Sequence, residues 1–227
     1  TDPLGYQDSM NLYQGMGMNP VNFVDPRGET IHVENSFKNN WGKIKKYLSK
    51  SWYAKNIIDY LEQPKFDIYI YDFPESMMYA YEPNFQNKLP ENKKYNGKSV
   101  VFIDSYYALK IYDKRTLKYI GYQSVALGIF HELLHAFHEK VNMKKYNEDL
   151  HNKVYTISNK LYRYRNEEEH LTVQDEILVT LSLGEPARDY YDLLDSKNEP
   201  VFSDAENLYK RVNDVLESRC WDYRGEK

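Results

Sequence analysis

The sequence predicts an α+β fold, and three observations carry that prediction. Phe66-Asp67-Ile68-Tyr69-Ile70-Tyr71 alternates as a half-buried strand does, and Ser99-Val100-Val101-Phe102-Ile103-Asp104 is more continuously apolar, as a central strand is. Apolar residues three and four apart mark helices before and after these strands. One of these helices, Val125 to Lys140, carries His131-Glu132-Leu133-Leu134-His135. Only about 0.01 HExxH runs are expected by chance in a chain of this length and composition, so the run is informative.

Taken in order, residues 1–28 are rich in turn formers. Asp2-Pro3-Leu4-Gly5 and Asp25-Pro26-Arg27-Gly28 each combine an Asp that can bond the following backbone, a Pro that presets φ and a Gly that accepts positive φ. From Ser36 to Leu61, Phe37, Trp41, Ile44, Tyr47 and Leu48, then Trp52, Ile57, Ile58 and Leu61, have helical spacing, with Gly42 and Ser49-Lys50-Ser51 expected to interrupt or separate the helices. Residues 83–98 are polar, carry Pro83, Pro90 and Gly97, and read as a loop. Tyr106 to Tyr112 or Lys118 to Tyr122 supplies a further strand pairing. Ser124 is the expected N-cap of the HExxH helix. Near the C-terminus, Asp204 to Leu216 reads as a helix with Leu208, Val212 and Leu216 inward, and Cys220 and Trp221 as cover for apolar surface.

The chain has 227 residues, enough for one domain with a short appendage, and its 41% hydrophobic content, including 23 Tyr and 9 Phe, is enough for a core. With 30 basic and 34 acidic residues the net charge is −4, which argues against a nucleic-acid binder. The basic run Lys43 to Lys50 reads as a solvated helix face. The single cysteine excludes an intramolecular disulfide framework and suits a reducing cytosol. No apolar run approaches the roughly 20 residues that span a bilayer. The chain does not start with Met and is expected to be a fragment of something longer, any targeting signal lying upstream.

His131 and His135, four apart on a helix, project from one face, a spacing that suits two ligands of a tetrahedral zinc, and Glu132 lies beside them where a general base belongs. His138 lies nearly on the same face, but consecutive turns of one straight helix do not wrap a tetrahedral ion, so His138, like Glu139 and His151, reads as a surface or supporting residue. A third ligand is sought in Asn166-Glu167-Glu168-Glu169-His170-Leu171-Thr172-Val173-Gln174-Asp175-Glu176. Read as a helix, Glu169, Thr172, Val173 and Glu176 share a face, which lets Glu169 ligate and Glu176 accept a hydrogen bond from a ligand histidine. Glu167 and Glu168 read as an acidic helix start, although Glu168 or Glu176 as the third ligand stays open.

Two resemblances sharpen these expectations. The order Asp2-Pro3-Leu4-Gly5, Asn11-Leu12-Tyr13, Asn19-Pro20, Asp25-Pro26-Arg27-Gly28 resembles the end of an RHS/YD-repeat core. It implies a β-shell upstream as partner, with residues 1–28 as the tail of that core and residues 29–227 as its toxin cargo. Members often cut themselves near this junction with core aspartates, whereas Asp2 and Asp25 read here as turn formers. His131-Glu132-Leu133-Leu134-His135-Ala136 is similar to the HELxHA of NleD-like effector metallopeptidases, which also resemble clostridial neurotoxin light chains. In those relatives a downstream glutamate in an ExxTV or ExxTF context completes the zinc site, and Glu169-His170-Leu171-Thr172-Val173 matches. Glu176, Gly184, Pro186, Arg188 and Tyr191 also fall in the family's register, with departures at Ile177 and Val179. Gly184 and Pro186 most simply end the preceding helix and turn the chain back.

The resemblance implies a zincin-like metallopeptidase whose active-site helix packs against a small mixed sheet. His131, His135 and Glu169 hold Zn2+, Glu132 is the general base, and Arg188 and Tyr191 stabilise the oxyanion. It implies a secreted or translocated toxin, monomeric once released, that cleaves a protein in the target-cell cytosol. Two other readings compete: a non-enzymatic cargo module whose structural zinc takes a fourth ligand from His138, His151 or His170, and a zinc amidase acting on a non-protein amide.

Overall fold

The computed structural model describes residues 31–73, 79–86, 95–113, 115–152, 162–164, 166–188, 190, 192–194, 200–202 and 209–211, in several short strands by backbone alone. The turn-rich residues 1–28, Tyr191, Cys220 and Trp221 lie outside the described residues.

Ten strands and five helices among the described residues make an α+β fold. The main sheet contains β1 (Ile31–Val33), β2 (Ile68–Asp72), β3 (Ala80–Glu82) and β4 (Ser99–Ile103) in the order β1-β2-β4-β3. The first three strands in that order run parallel, and β3 is an antiparallel edge. The continuously apolar β4 is thus an inner strand with every residue buried, as its sequence suggests. Alternate residues separate the two faces. Ile31, Ile68, Ile70, Val101 and Ile103 enter the main core under the helices, while Val100 and Phe102 join Tyr95 in a second, aromatic cluster.

Helices α1 (Lys38–Leu48) and α2 (Trp52–Leu61) bury the spaced residues identified in the sequence, among them Trp41, Ile44, Ile57 and Leu61. The break falls at Ser49–Ser51, where the Ser51 side chain accepts from the Ala54 amide and starts the second helix. Gly42 does not interrupt α1 but sits exposed within it; packing of the buried face outweighs the roughly 1 kcal/mol cost of glycine there.

Both expected pairings after β4 form, with each other: β5 (Tyr107–Tyr112) and β6 (Tyr119–Gln123) are antiparallel. The expected helix over Asp204–Leu216 is not what the chain builds in its middle. Tyr209–Arg211 is instead a strand, β10, antiparallel to β5. The main-chain groups on β5's second edge need partners, and that tertiary demand overrides a weak helical spacing. A third small sheet joins β7 (Tyr162–Arg163), β8 (Asp192–Leu194) and β9 (Pro200–Phe202).

Two 17-residue helices position the site. Helix α3 (Val125–Val141) follows β6 directly and is capped by Ser124, whose hydroxyl accepts from the Leu127 amide. It packs on β4, β3 and β5 and on all the other helices. After α4 (Met143–His151), helix α5 (Glu167–Leu183) lies against α3. Asn166 caps α5, accepting from the Glu169 amide. Gly184 ends α5 at φ 71°, a left-handed conformation that glycine adopts without strain. Among the described residues no helix is long and apolar enough to cross a membrane.

Candidate metal centre

His131 and His135 leave α3 one turn apart with ring centroids 5.0 Å from each other, and both are buried. Opposite them Glu169 leaves the first turn of α5. Its Oε2 lies 3.3 Å from Nε2 of His131 and 3.5 Å from Nε2 of His135. Three electron-pair donors are thus drawn to one point, all within 4.8 Å of one another. Donors bound tetrahedrally at about 2.0–2.1 Å stand roughly 3.3–3.4 Å apart, so the donor set fits a small metal ion. Glu169 Oε2 is moreover buried without a well-formed hydrogen bond, its charge facing the two imidazoles across the point where a metal ion would sit.

The far side of each imidazole fixes which nitrogen faces that point. His131 Nδ1 donates to Glu176 Oε2 at 2.7 Å, and His135 Nδ1 donates to Glu168 Oε1 at 2.9 Å. With the proton committed to Nδ1, Nε2 presents its lone pair to the metal position. Glu176 is 1% exposed and is also met by the Gln123 amide and by Arg188 Nη2, at 3.4 Å. Arg188 Nη2 stands 3.4 Å from His131 Nδ1 as well; both are donors, so this contact follows from sharing one carboxylate oxygen.

The charges are strongly coupled. Burial pushes the His131 pKa down, but the carboxylates of Glu169 and Glu176 outweigh it and hold the value up at about 9 in the metal-free protein. For His135 burial is likewise outweighed, by Glu169, Glu168 and Glu132, and its pKa lies well above the ordinary value. Burial raises the Glu168 carboxyl, yet His135 and His138 bring it down to about 2. Burial also opposes ionisation of Glu169, and His135 and His131 reverse that, leaving its pKa far below the ordinary carboxylate range.

Two comparisons find no relative. The chain matches no protein-family model and no curated protein. The site therefore has to be read from its own geometry.

Of the residues singled out in the sequence, His131, His135 and Glu169 converge, and Glu132 lies between the two histidines on α3, 6% exposed. Glu176 stands behind a histidine, in the place its helical position gives it. Arg188 reaches the site from the segment after Gly184, held by Glu176. Pro186 in that segment packs on Gly121, where an added Cβ would come within 2.5 Å of the ring. His138 is bound to Glu168 and Asp175, and His151 is an exposed residue bonded to the Asn147 carbonyl. Glu139 is not at the surface; it is buried, bound to Tyr81 and Lys140. The sequence reading kept Glu168 open as a third ligand but missed its place behind His135. It looked like one more acid at a helix start, whereas it is 1% exposed and holds His135. Its position four before Thr172 and seven before Asp175, opposite His135 and His138, was the available signal.

Proposed function

We propose that the chain is a zinc metallopeptidase of zincin-like fold. One observation carries the reading: both HExxH imidazoles have Nδ1 tied to a buried carboxylate, so that both Nε2 atoms and the Glu169 oxygen face one point. Two histidines and a carboxylate suit zinc, and three protein ligands leave a fourth position open for chemistry. The histidines that a closed structural site would recruit are engaged elsewhere. Both ring nitrogens of His138 face carboxylates, His151 bonds Asn147, and His170 packs at a tilt against Tyr164 beside Glu167.

Zinc, when bound, supplies a Lewis acid that polarises a carbonyl and acidifies water. Glu132 accepts the proton of the attacking water and returns it to the departing amine. Glu168 and Glu176 hold the imidazoles in the ligating tautomer. Arg188, oriented by Glu176, and Tyr191 stabilise the negative charge that grows on the carbonyl oxygen. Among the described residues β3 is the antiparallel edge of the main sheet and contacts α3, so a substrate peptide would add there as an extended strand. The substrate is a protein in a target-cell cytosol and the domain is the cargo of an RHS-repeat shell; this part rests on the motifs of residues 1–28 and on the HELxHA resemblance.

The test is zinc content of wild type and Glu132→Gln, paired with cleavage of target-cell lysate. The expected result is zinc in both and new fragments only from wild type, with activity reduced about 10²–10⁴-fold in the variant. Zinc in both without any proteolysis would favour a non-protein amide or a structural metal. Absence of zinc from wild type prepared without chelator would overturn the mechanism.

A further inference from the structure

The two metal-facing histidines are supported alike up to a point. Behind His131 stands Glu176, and behind Glu176 stands the Arg188 guanidinium. Behind His135 stands Glu168, and the question is what plays the part of the arginine. Glu168 Oε1 receives His135 Nδ1 at 2.9 Å, His138 Nδ1 at 2.7 Å and the Thr172 hydroxyl at 3.1 Å. The other nitrogen of His138, Nε2, lies 3.1 Å from Asp175 Oδ2. Two carboxylates facing two ring nitrogens are both satisfied only when both nitrogens carry protons. Asp175 in turn accepts from the hydroxyl of Tyr53 on α2. A continuous chain, His135–Glu168–His138–Asp175–Tyr53, thus crosses between α3, α5 and α2.

We propose that His138 is a positioning residue for the metal site, acting through Glu168 on His135 as Arg188 acts through Glu176 on His131. The assignment rests on the three-ligand reading above. It does not make His138 a ligand. With His138 donating, Glu168 keeps its charge and its aim in a buried place, and an ionised Glu168 makes His135 a stronger donor at Nε2. A residue that merely linked α3 to α5 would leave the metal affinity alone.

The experiment uses the full chain and Co2+ as probe, titrated in competition with a chelator, with the d–d spectrum recorded at saturation. The variants are His138→Phe, which removes both donors, His138→Asn, which retains one near Nδ1, and Asp175→Asn, which retains an acceptor without charge. The expected result is a loss of cobalt affinity of about tenfold for His138→Phe, with a shifted spectrum, and smaller losses for the other two. Thermal melting of the metal-free proteins separates this from misfolding; should His138→Phe fail to fold, the two conservative variants decide. Affinities of the folded variants within about twofold of wild type, with unchanged spectra, overturn the assignment, because supporting partners shift affinity by more than that. A wild type that binds no cobalt overturns the three-ligand site itself, and this assignment with it. Normal wild-type binding beside unchanged variants overturns this assignment alone.

Discussion

Helices α3 and α5 are equally long and touch each other, yet they are built on opposite plans. Helix α3 is apolar almost all round, with Val125, Ala126, Leu127, Ile129, Phe130, Leu133, Leu134 and Ala136 buried, and its histidines are polar intrusions in a core helix. Helix α5 mixes acids and apolar residues on every side, exposes Leu178 and Leu181, and buries Glu168 and Glu176. Neither arrangement is stable by itself. Buried carboxylates are tolerable on α5 because each meets an imidazole of α3, and the imidazoles are tolerable because each meets a carboxylate. The difference between the helices shows that the site is an interface of complementary charge, with three donors positioned to hold a metal ion.

Breaking one side of a buried pair tests this most severely. Arg188→Met takes from Glu176 one of the two cations that face it, and the metal-free protein is expected to lose on the order of 2 kcal/mol of stability in urea unfolding. The double variant Arg188→Met/Glu176→Leu should recover part of that loss. A double variant worse by the sum of the two single changes would contradict the pairing.

A milder change keeps shape and removes charge. Glu176→Gln and Glu168→Gln are each expected to weaken metal binding about 10–100-fold while leaving the fold intact. Equal metal affinity in all three proteins would show that α5 only packs.

The pairing also has a pH signature. The His131 pKa is raised from 6.5 to about 9 without metal, so the metal-free protein gains stability from it in full below about pH 6.5 and loses that gain as pH rises through 9. Metal binding must displace that proton, so affinity should climb between pH 6.5 and 9 with proton release. Unfolding midpoints of metal-free protein that rise across this window would refute the sign.

The smallest effects concern the helix ends. Ser124→Ala removes the cap of α3, and Gly184→Ala places a Cβ at φ 71°; each should cost about 1 kcal/mol, with little change in metal affinity. Thermal melts with and without Zn2+ separate the two readouts.

Much of this interface was legible in the sequence because its signals are local. The four-residue spacing of His131 and His135, the cap at Ser124, the shared face of Glu169 and Glu176 and the stop at Gly184 all follow from helical period and turn chemistry. The part Glu168 plays was legible only to the extent that it shares a face with Thr172 and Asp175; a residue adjacent to a ligand points about 100° away from it around the helix, and only the packed partner shows where that leads. The three-residue strands Ile31–Val33 and Ala80–Glu82 are too short to show any period. Tyr209–Arg211 is a strand only because β5 offers it an edge, which no local pattern records.

One contact outside the metal centre bears on how the molecule comes into being. Glu185, just past the end of α5, is 7% exposed; it accepts from the Ser124 amide at the head of α3 and from the hydroxyl of Tyr47 on α1, across 138 positions of chain. Closing a contact so distant in sequence carries the entropic cost of a long loop. During synthesis, therefore, a nascent chain that has exposed His131 and His135 but not yet residue 185 lacks the tie between the head of their helix and α1.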